Sequence, residues 1–245
     1  MNDLEIQRTY QRQNRGEKVK LIQEWLCLNG FGVKIDGEFG PATEAAVKQF
    51  QERKGLPGTG LVDLATFERL VDPMKAALKK ISPNGRSVGE LTVAYAQQHL
   101  RQHPVEVGGE NRGPWVRLYM NGNEGQPWAW CAGFACYGLR QACETLGEAM
   151  PIEPSFSCDS LAAFARQRGR LLDGTNLSDR ARITPGSLFL IRRTSTDWVH
   201  TGIVIAAEAE FFRTIEGNTN DNGSREGYEV CMRTRSYKAM DFVLV

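Results

Sequence analysis

Three residues far apart in the 245-residue chain carry the strongest chemical signal. Cys131 stands in Gln126-Pro127-Trp128-Ala129-Trp130-Cys131-Ala132-Gly133-Phe134, where a proline-bearing loop turns into an apolar helix expected over 128–147. A cysteine at a helix N-terminus meets unpaired N–H groups and the positive dipole end, and both favour the nucleophilic thiolate. A nucleophile needs a base. His200 follows Asp197-Trp198-Val199 and opens an apolar strand, so its ring can emerge from a sheet end toward a facing helix. Glu216 and Asn218 alternate at the end of a later strand and share one face. If the strands at Thr201 and Phe211 pair as a hairpin, that face lies beside His200. Either residue could then accept from the ring and fix its tautomer. Glu216 is preferred, because a carboxylate stabilises an imidazolium more than an amide does. Singly, Cys131 reads equally as a small core residue and His200 as a strand-end turn residue. Together, in this chain order, they point to covalent catalysis.

The remaining candidates fall away. His99 and His103 end a polar helix and are expected to be exposed. Cys136 and Cys143 lie on one helix face as core fillers, and no Cys-x2-Cys pair suggests zinc. No metal and no organic cofactor is expected. Thirty basic and twenty-nine acidic side chains leave a net charge of +1, which excludes a binder relying on a strong basic field for nucleic acid. No apolar run suits a membrane span, and the polar start lacks a secretory h-region. Synthesis in the cytoplasm with reduced thiols is the expectation.

These residues need elements to position them. With 41% hydrophobic and 24% charged residues the chain can bury a full core. Residues 1–72 are expected to form three short helices with their core over 18–72, the second opened by Pro41 and the third capped by Asp63. A faint echo runs through them: Val19-x3-Gln23 returns as Val47-x3-Gln51. Asp72-Pro73, a charged helical stretch and Ser82-Pro83-Asn84-Gly85 make 73–87 a linker. In 88–245 helices come first and strands follow, near 187–191, 201–206, 211–215 and 241–245, the α+β pattern with an antiparallel sheet.

At Pro127-Trp128-Ala129-Trp130-Cys131-Ala132-Gly133-Phe134, Pro185-Gly186-Ser187-Leu188-Phe189, Trp198-Val199-His200-Thr201-Gly202 and Ile215-Glu216-Gly217-Asn218-Thr219, the second part resembles the CHAP domain (cysteine, histidine-dependent amidohydrolase/peptidase) of papain-like cell-wall hydrolases. The resemblance implies Cys131 as nucleophile, His200 as base and Glu216 as its orienter, with Asn218 as a fourth polar contributor or alternative orienter. The loop Gly109-Glu110-Asn111-Arg112-Gly113-Pro114 is similar to a segment upstream of the cysteine in one branch of these enzymes. It makes Asn111, with Trp128 and Trp130, a candidate substrate contact. Trp130 stands where many such domains have glutamine, so the oxyanion donor passes to the Cys131 backbone N–H. Residues 18–72, through Asp36-Gly37-Glu38-Phe39-Gly40-Pro41-Ala42-Thr43 and Gly55-Leu56-Pro57, resemble the three-helix peptidoglycan-binding-like domain.

The resemblances imply a monomeric peptidoglycan hydrolase that cuts an amide bond of the wall peptide. An endopeptidase is favoured over an N-acetylmuramoyl-L-alanine amidase using the same residues, and a catalytically inactive wall-binding protein is the third reading. The expected partner is bacterial peptidoglycan, without nucleic acid or membrane insertion, and an immunity or delivery protein is a candidate accessory. Action at the periplasm or cell wall then requires release through holin pores or injection by a secretion system.

Overall fold

A computed structural model describes residues 3–220 and 227–245. The chain begins with helices α1 (Glu17–Leu28), α2 (Pro41–Arg53) and α3 (Leu64–Leu70). Pro41 takes the first position of α2, and Asp63 caps α3 by accepting from the Thr66 N–H at 2.8 Å.

The sequence echo has a physical counterpart. Gln23 of α1 reaches into the loop before α2, where Oε1 accepts the Asp36 and Gly37 N–H groups at 3.0 and 2.8 Å. Its Nε2 donates to Asp36 Oδ1 at 2.9 Å and to Thr43 Oγ1 at 3.2 Å. Gln51 of α2 repeats the arrangement on the loop before α3. It accepts from Gly60 N at 2.9 Å and donates to Leu61 O at 2.8 Å and Thr66 Oγ1 at 3.0 Å. Each buried glutamine thus satisfies a tight loop whose backbone groups lack strand or helix partners.

Four further helices lead to the sheet: α4 (Asp72–Leu78), α5 (Val88–Leu100), α6 (Pro114–Tyr119) and α7 (Cys131–Leu146), with α8 (Cys158–Gln167) after them. Ser87 and Glu90 form a capping box that starts α5. The strands are β1 (Leu171–Asp173), β2 (Leu188–Thr194), β3 (Asp197–Ala207), β4 (Phe211–Thr219), β5 (Glu229–Ser236) and β6 (Met240–Val243). They form one antiparallel sheet in the order β1-β6-β2-β3-β4-β5, so the fold is α+β as expected. Alternation along the strands splits the core. Leu188, Leu190, Ile203 and Ile215 join the cluster that includes α7 and α8, whereas Phe189, Val204, Phe212 and Phe242 build a second cluster. The sheet meets α5 through two glycines. A methyl group on Gly186, at φ 94°, would lie 2.3 Å from Gly89 Cα, so only glycine fits there.

Two expectations need correction. The helix expected over 128–147 begins at Cys131, because Trp130 has already left helical geometry at ψ 14°. His99 is not exposed. It is buried between Tyr119 Oη and Gln141 Oε1, both at 2.9 Å, and burial pushes it down to about 4. Its burial is set by α6 and α7, which local polarity does not reveal. His103 is exposed and pairs with Glu229 at 3.0 Å.

One apolar cluster takes in both parts of the chain, from Ile6 to Val243, and the segment expected as a linker contributes buried Met74 and Ala77 from α4. Trp25 of α1 meets Trp115 of α6 edge-on at 6.4 Å. Beside them Arg117, its side chain 9% exposed, binds Asp3 at 2.6 Å, Glu24 at 2.6 Å and Glu124 at 2.7 Å. Burial raises the Glu24 carboxyl against the pull of Arg117. Arg117→Ala would leave these carboxylates uncompensated, at a cost of about 3–5 kcal/mol. Urea unfolding measures it. A loss below about 1 kcal/mol would class the cluster with surface pairs.

Candidate active site

Cys131 is the first residue of α7 and 5% exposed. As the first helical residue, its backbone N–H has no acceptor within the helix. His200 lies in β3 and Glu216 in β4, both fully buried. The β3–β4 pairing runs from Ala207↔Phe212 to Ile203↔Ile215, so His200 and Glu216 stand beyond the paired stretch. Here Trp130 and α7 approach β4: a methyl group on Gly217 would lie 2.7 Å from both Trp130 and Phe134. His200 Nε2 meets Glu216 Oε2 at 2.8 Å. Gly202 leaves room for that contact, since a methyl group there would sit 2.8 Å from Glu216 Cγ and 2.9 Å from Phe189 Cε1.

Glu216 is saturated with donors. Thr214 Oγ1 donates to Oε1 at 2.5 Å, and Arg235 of β5 donates to both oxygens, each at 2.6 Å. Burial alone would raise this carboxyl, but Arg235 and His200 outweigh it and hold Glu216 down to about 2. Burial likewise disfavours charge on His200, but contacts with Cys131 and Glu216 prevail and push it up to about 9. Nε2 is engaged by Glu216, and Nδ1, which has no hydrogen bond of standard geometry, is the nitrogen left to Cys131. The Cys131 thiol is held well below the ordinary thiol range. A contact from the Cys158 thiol lowers it most, burial opposes, and His200 and the Thr201 backbone lower it further. Cys158 is driven the other way and stays a protonated thiol. The arrangement can therefore sustain a thiolate beside an imidazolium whose far side rests on a carboxylate.

Cys158 opens α8, whose first turn is tied to β3 where Asp159 Oδ1 accepts the Trp198 N–H at 2.6 Å. The sequence gives Cys158 and Arg235 no part in the site, and Gly202 enters only as a neighbour of His200 in its motif. A capping Ser157 before Cys158 and the alternating Arg233 and Arg235 are the local hints.

The other candidates fall elsewhere. Asn218 is buried at φ 55°, its Oδ1 without a partner among the described residues, and it is Glu216 that meets His200. Trp130 is fully buried, stacked on Tyr119 at 5.5 Å with Nε1 donating to Glu106 at 2.8 Å, so it offers no surface to a substrate. Asn111 is also buried. Its amide donates to Gln126 O at 3.3 Å and its carbonyl accepts from Gly125 N at 2.6 Å, which fastens loops together. Trp128 is half-buried and meets Phe156, itself 41% exposed, edge-on at 6.2 Å. Among the described residues no group of three His, Cys, Asp or Glu side chains converges as a metal site requires.

Residues 15–70 match the family model described as "Putative peptidoglycan binding domain". The chain is 49% identical over 65 residues to a zinc D-Ala-D-Ala carboxypeptidase of Streptomyces albus G, covering 25% of this chain and 26% of that protein. It is 44% identical over 66 residues to a spore cortex-lytic enzyme of Bacillus cereus, covering 26% of each. The chain thus spans about a quarter of the length of these curated relatives. Among solved structures it is similar to the SleB N-terminal domain, at 43% identity and TM-score 0.26 over 26% of this chain and 89% of that one. It is also similar to a peptidoglycan-binding protein from Clostridioides difficile, at 34% identity and TM-score 0.26 over 29% and 42%.

The Glu216 shift fixes a pH dependence of stability. A carboxyl depressed in the fold stabilises in full above its usual 4.5, and that contribution is lost as pH falls toward about 2. Urea midpoints should therefore drop across that window. Glu216→Gln should flatten this part of the profile and cost about 3–5 kcal/mol near pH 7, since Arg235 is left facing a neutral group. Gly202→Ala should cost about 1–3 kcal/mol by overpacking. Cys158→Ala should move Cys131 alkylation to higher pH. An unchanged alkylation profile would deny the thiol contact.

Proposed function

We propose that the chain is a peptidoglycan hydrolase in which residues 1–72 hold the wall and 88–245 form a cysteine hydrolase. The observation that carries this reading is the convergence of Cys131, at the first position of a helix, on a histidine whose far nitrogen rests on a buried carboxylate at 2.8 Å. The match of residues 15–70 to a peptidoglycan-binding model supports the wall as the polymer bound. The partial relatives, a carboxypeptidase and a cortex-lytic enzyme by name, are in keeping with it.

The Cys131 thiolate attacks an amide carbonyl of the wall peptide. The oxyanion is met by the Cys131 backbone N–H at the positive end of α7. His200, protonated while the thiolate stands, gives its Nδ1 proton to the leaving amine, so that the C–N bond breaks, the amine departs and the acyl group stays on Cys131 as a thioester. The now neutral imidazole takes a proton from water, and the hydroxide so formed hydrolyses the thioester. Glu216 stays ionised throughout and holds the ring in register. Endopeptidase cleavage is favoured, and amidase cleavage uses the same residues. Delivery through holin pores or by injection into a neighbouring cell fits either bond.

Mass analysis of fragments released from purified walls tests the assignment. New peptide termini with intact lactoyl links are expected, and free lactoyl ends would replace the peptidase reading with the amidase one. Cys131→Ala should abolish the clearing of wall suspensions, and undiminished clearing would overturn the enzyme. The alkaline limb of kcat/KM should fall near 9, where His200 loses its proton.

A further inference from the structure

The contact between Cys131 and His200 does not fix its own geometry, because His200 Nδ1 has no hydrogen bond of standard geometry. A frame must set the approach from both sides. On the His200 side it is Glu216, held by Thr214 and Arg235. On the Cys131 side the preceding residue, Trp130, is pinned at one face, one edge and one polar group. Its ring stacks on Tyr119 at an interplanar angle of 14°, and its edge lies against Gly217. Its indole N–H donates to Glu106 Oε1 at 2.8 Å.

Glu106 in turn is fixed from elsewhere. Its other oxygen accepts the Asn111 N–H at 2.7 Å, and its own N–H donates to Tyr228 O at 2.8 Å, beside the Val105↔Glu229 bridge. Glu229 opens β5, and β5 pairs with β4 at Glu216↔Cys231 and Thr219↔Glu229. The path from Cys131 through Trp130, Glu106, β5, β4 and Glu216 back to His200 is therefore closed. Only one of its links is a side chain bonded to a side chain across separate loops.

We propose that Glu106 is a positioning residue for the nucleophile: from a strap pinned to β5 it holds the Trp130 indole, and so sets where the first turn of α7 and Cys131 stand relative to His200. The inference rests on the hydrolase reading for its activity readout, though not for its thiol readout. A carboxylate suits the position because two N–H donors arrive at two oxygens. Glutamine offers one acceptor oxygen and would set its own NH2 against the other donor.

Two variants of the full chain test this. Trp130→Phe keeps the stacked ring and removes the N–H; Glu106→Gln keeps the volume and removes one acceptor. Each is followed by thermal unfolding, by the pH profile of Cys131 iodoacetamide labelling read by mass, and by kcat and KM on purified peptidoglycan. The expected result is a labelling midpoint moved to higher pH and kcat down about 10- to 100-fold at near-constant KM, as for a misplaced reacting group. A lowered unfolding temperature with an unchanged labelling profile in both variants would overturn the proposal and leave Glu106 a loop fastener. If one variant fails to fold, the other decides by the same profile. Full activity of Cys131→Ala would sink the hydrolase reading instead, and the labelling profile would still judge the frame.

Discussion

An anion buried at zero exposure must recover from its neighbours the solvation that water no longer supplies, and Glu216 is that anion. Its two oxygens receive Thr214, Arg235 twice and His200. Each donor comes from a different constraint of the sheet. Thr214 is two residues back on β4 and shares its face, Arg235 arrives from β5 on one side, and His200 from β3 on the other. Phe189 lies against the His200 ring at 5.9 Å and under the Arg235 guanidinium at 5.2 Å, giving both cationic groups an aromatic wall. The strand order around β4, the glycine at 202 and the bidentate arginine are all conditions for one charge to persist. The chemistry proposed for Cys131 leans on that charge, because Glu216 and Cys131 together favour the imidazolium between them.

The sequence makes the local half of this arrangement legible. Cys131 is marked by the loop-to-helix change, His200 by its place at the head of an apolar run, and Glu216 by alternation with Asn218. Alternation cannot choose between those two, since it records only a shared face. The choice comes from register: Glu216 is the neighbour of the last β3-paired residue, whereas at Asn218 the chain has turned to positive φ. Trp130 and Asn111 are misread for a related reason. Polar and aromatic side chains around a nucleophile look alike in sequence whether they face a substrate or close a loop. Their burial is decided by Tyr119, Glu106 and Gln126, distant in sequence or unmarked by pattern. Cys158 and Arg235 are invisible for the same cause, as their partners are supplied by α7 and β4 and not by any motif of their own.

The helical N-terminal part was more readable because its determinants are local. Gln23 and Gln51 do the same work one repeat apart in the chain, each closing a loop that contains a positive-φ glycine before the next helix. The junction resisted reading. A turn-rich stretch with a charged helix resembles a linker, but Met74 and Ala77 turn inward, and the apolar cluster passes through them to both sides. A short amphipathic helix carries the same composition whether it spans solvent or docks.

That docking bears on how the two parts would act together. A flexible linker raises the local concentration of substrate around the catalytic residues without preferring any orientation. Here Arg117 of α6 holds Glu24 of α1, Asp3 and Glu124 in one buried cluster beside the Trp25–Trp115 contact. Desolvating these charges costs several kcal/mol per ion, which apolar replacements of equal volume would avoid, so such a cluster favours one geometry more than it favours stability. On the proposed reading, polymer held by the first part is presented to Cys131 in a fixed direction as well as at a raised concentration. Binding is then productive only for strands that run from one part to the other in that direction. The selectivity of the whole chain for wall architecture would reside in this interface as much as in the cleft.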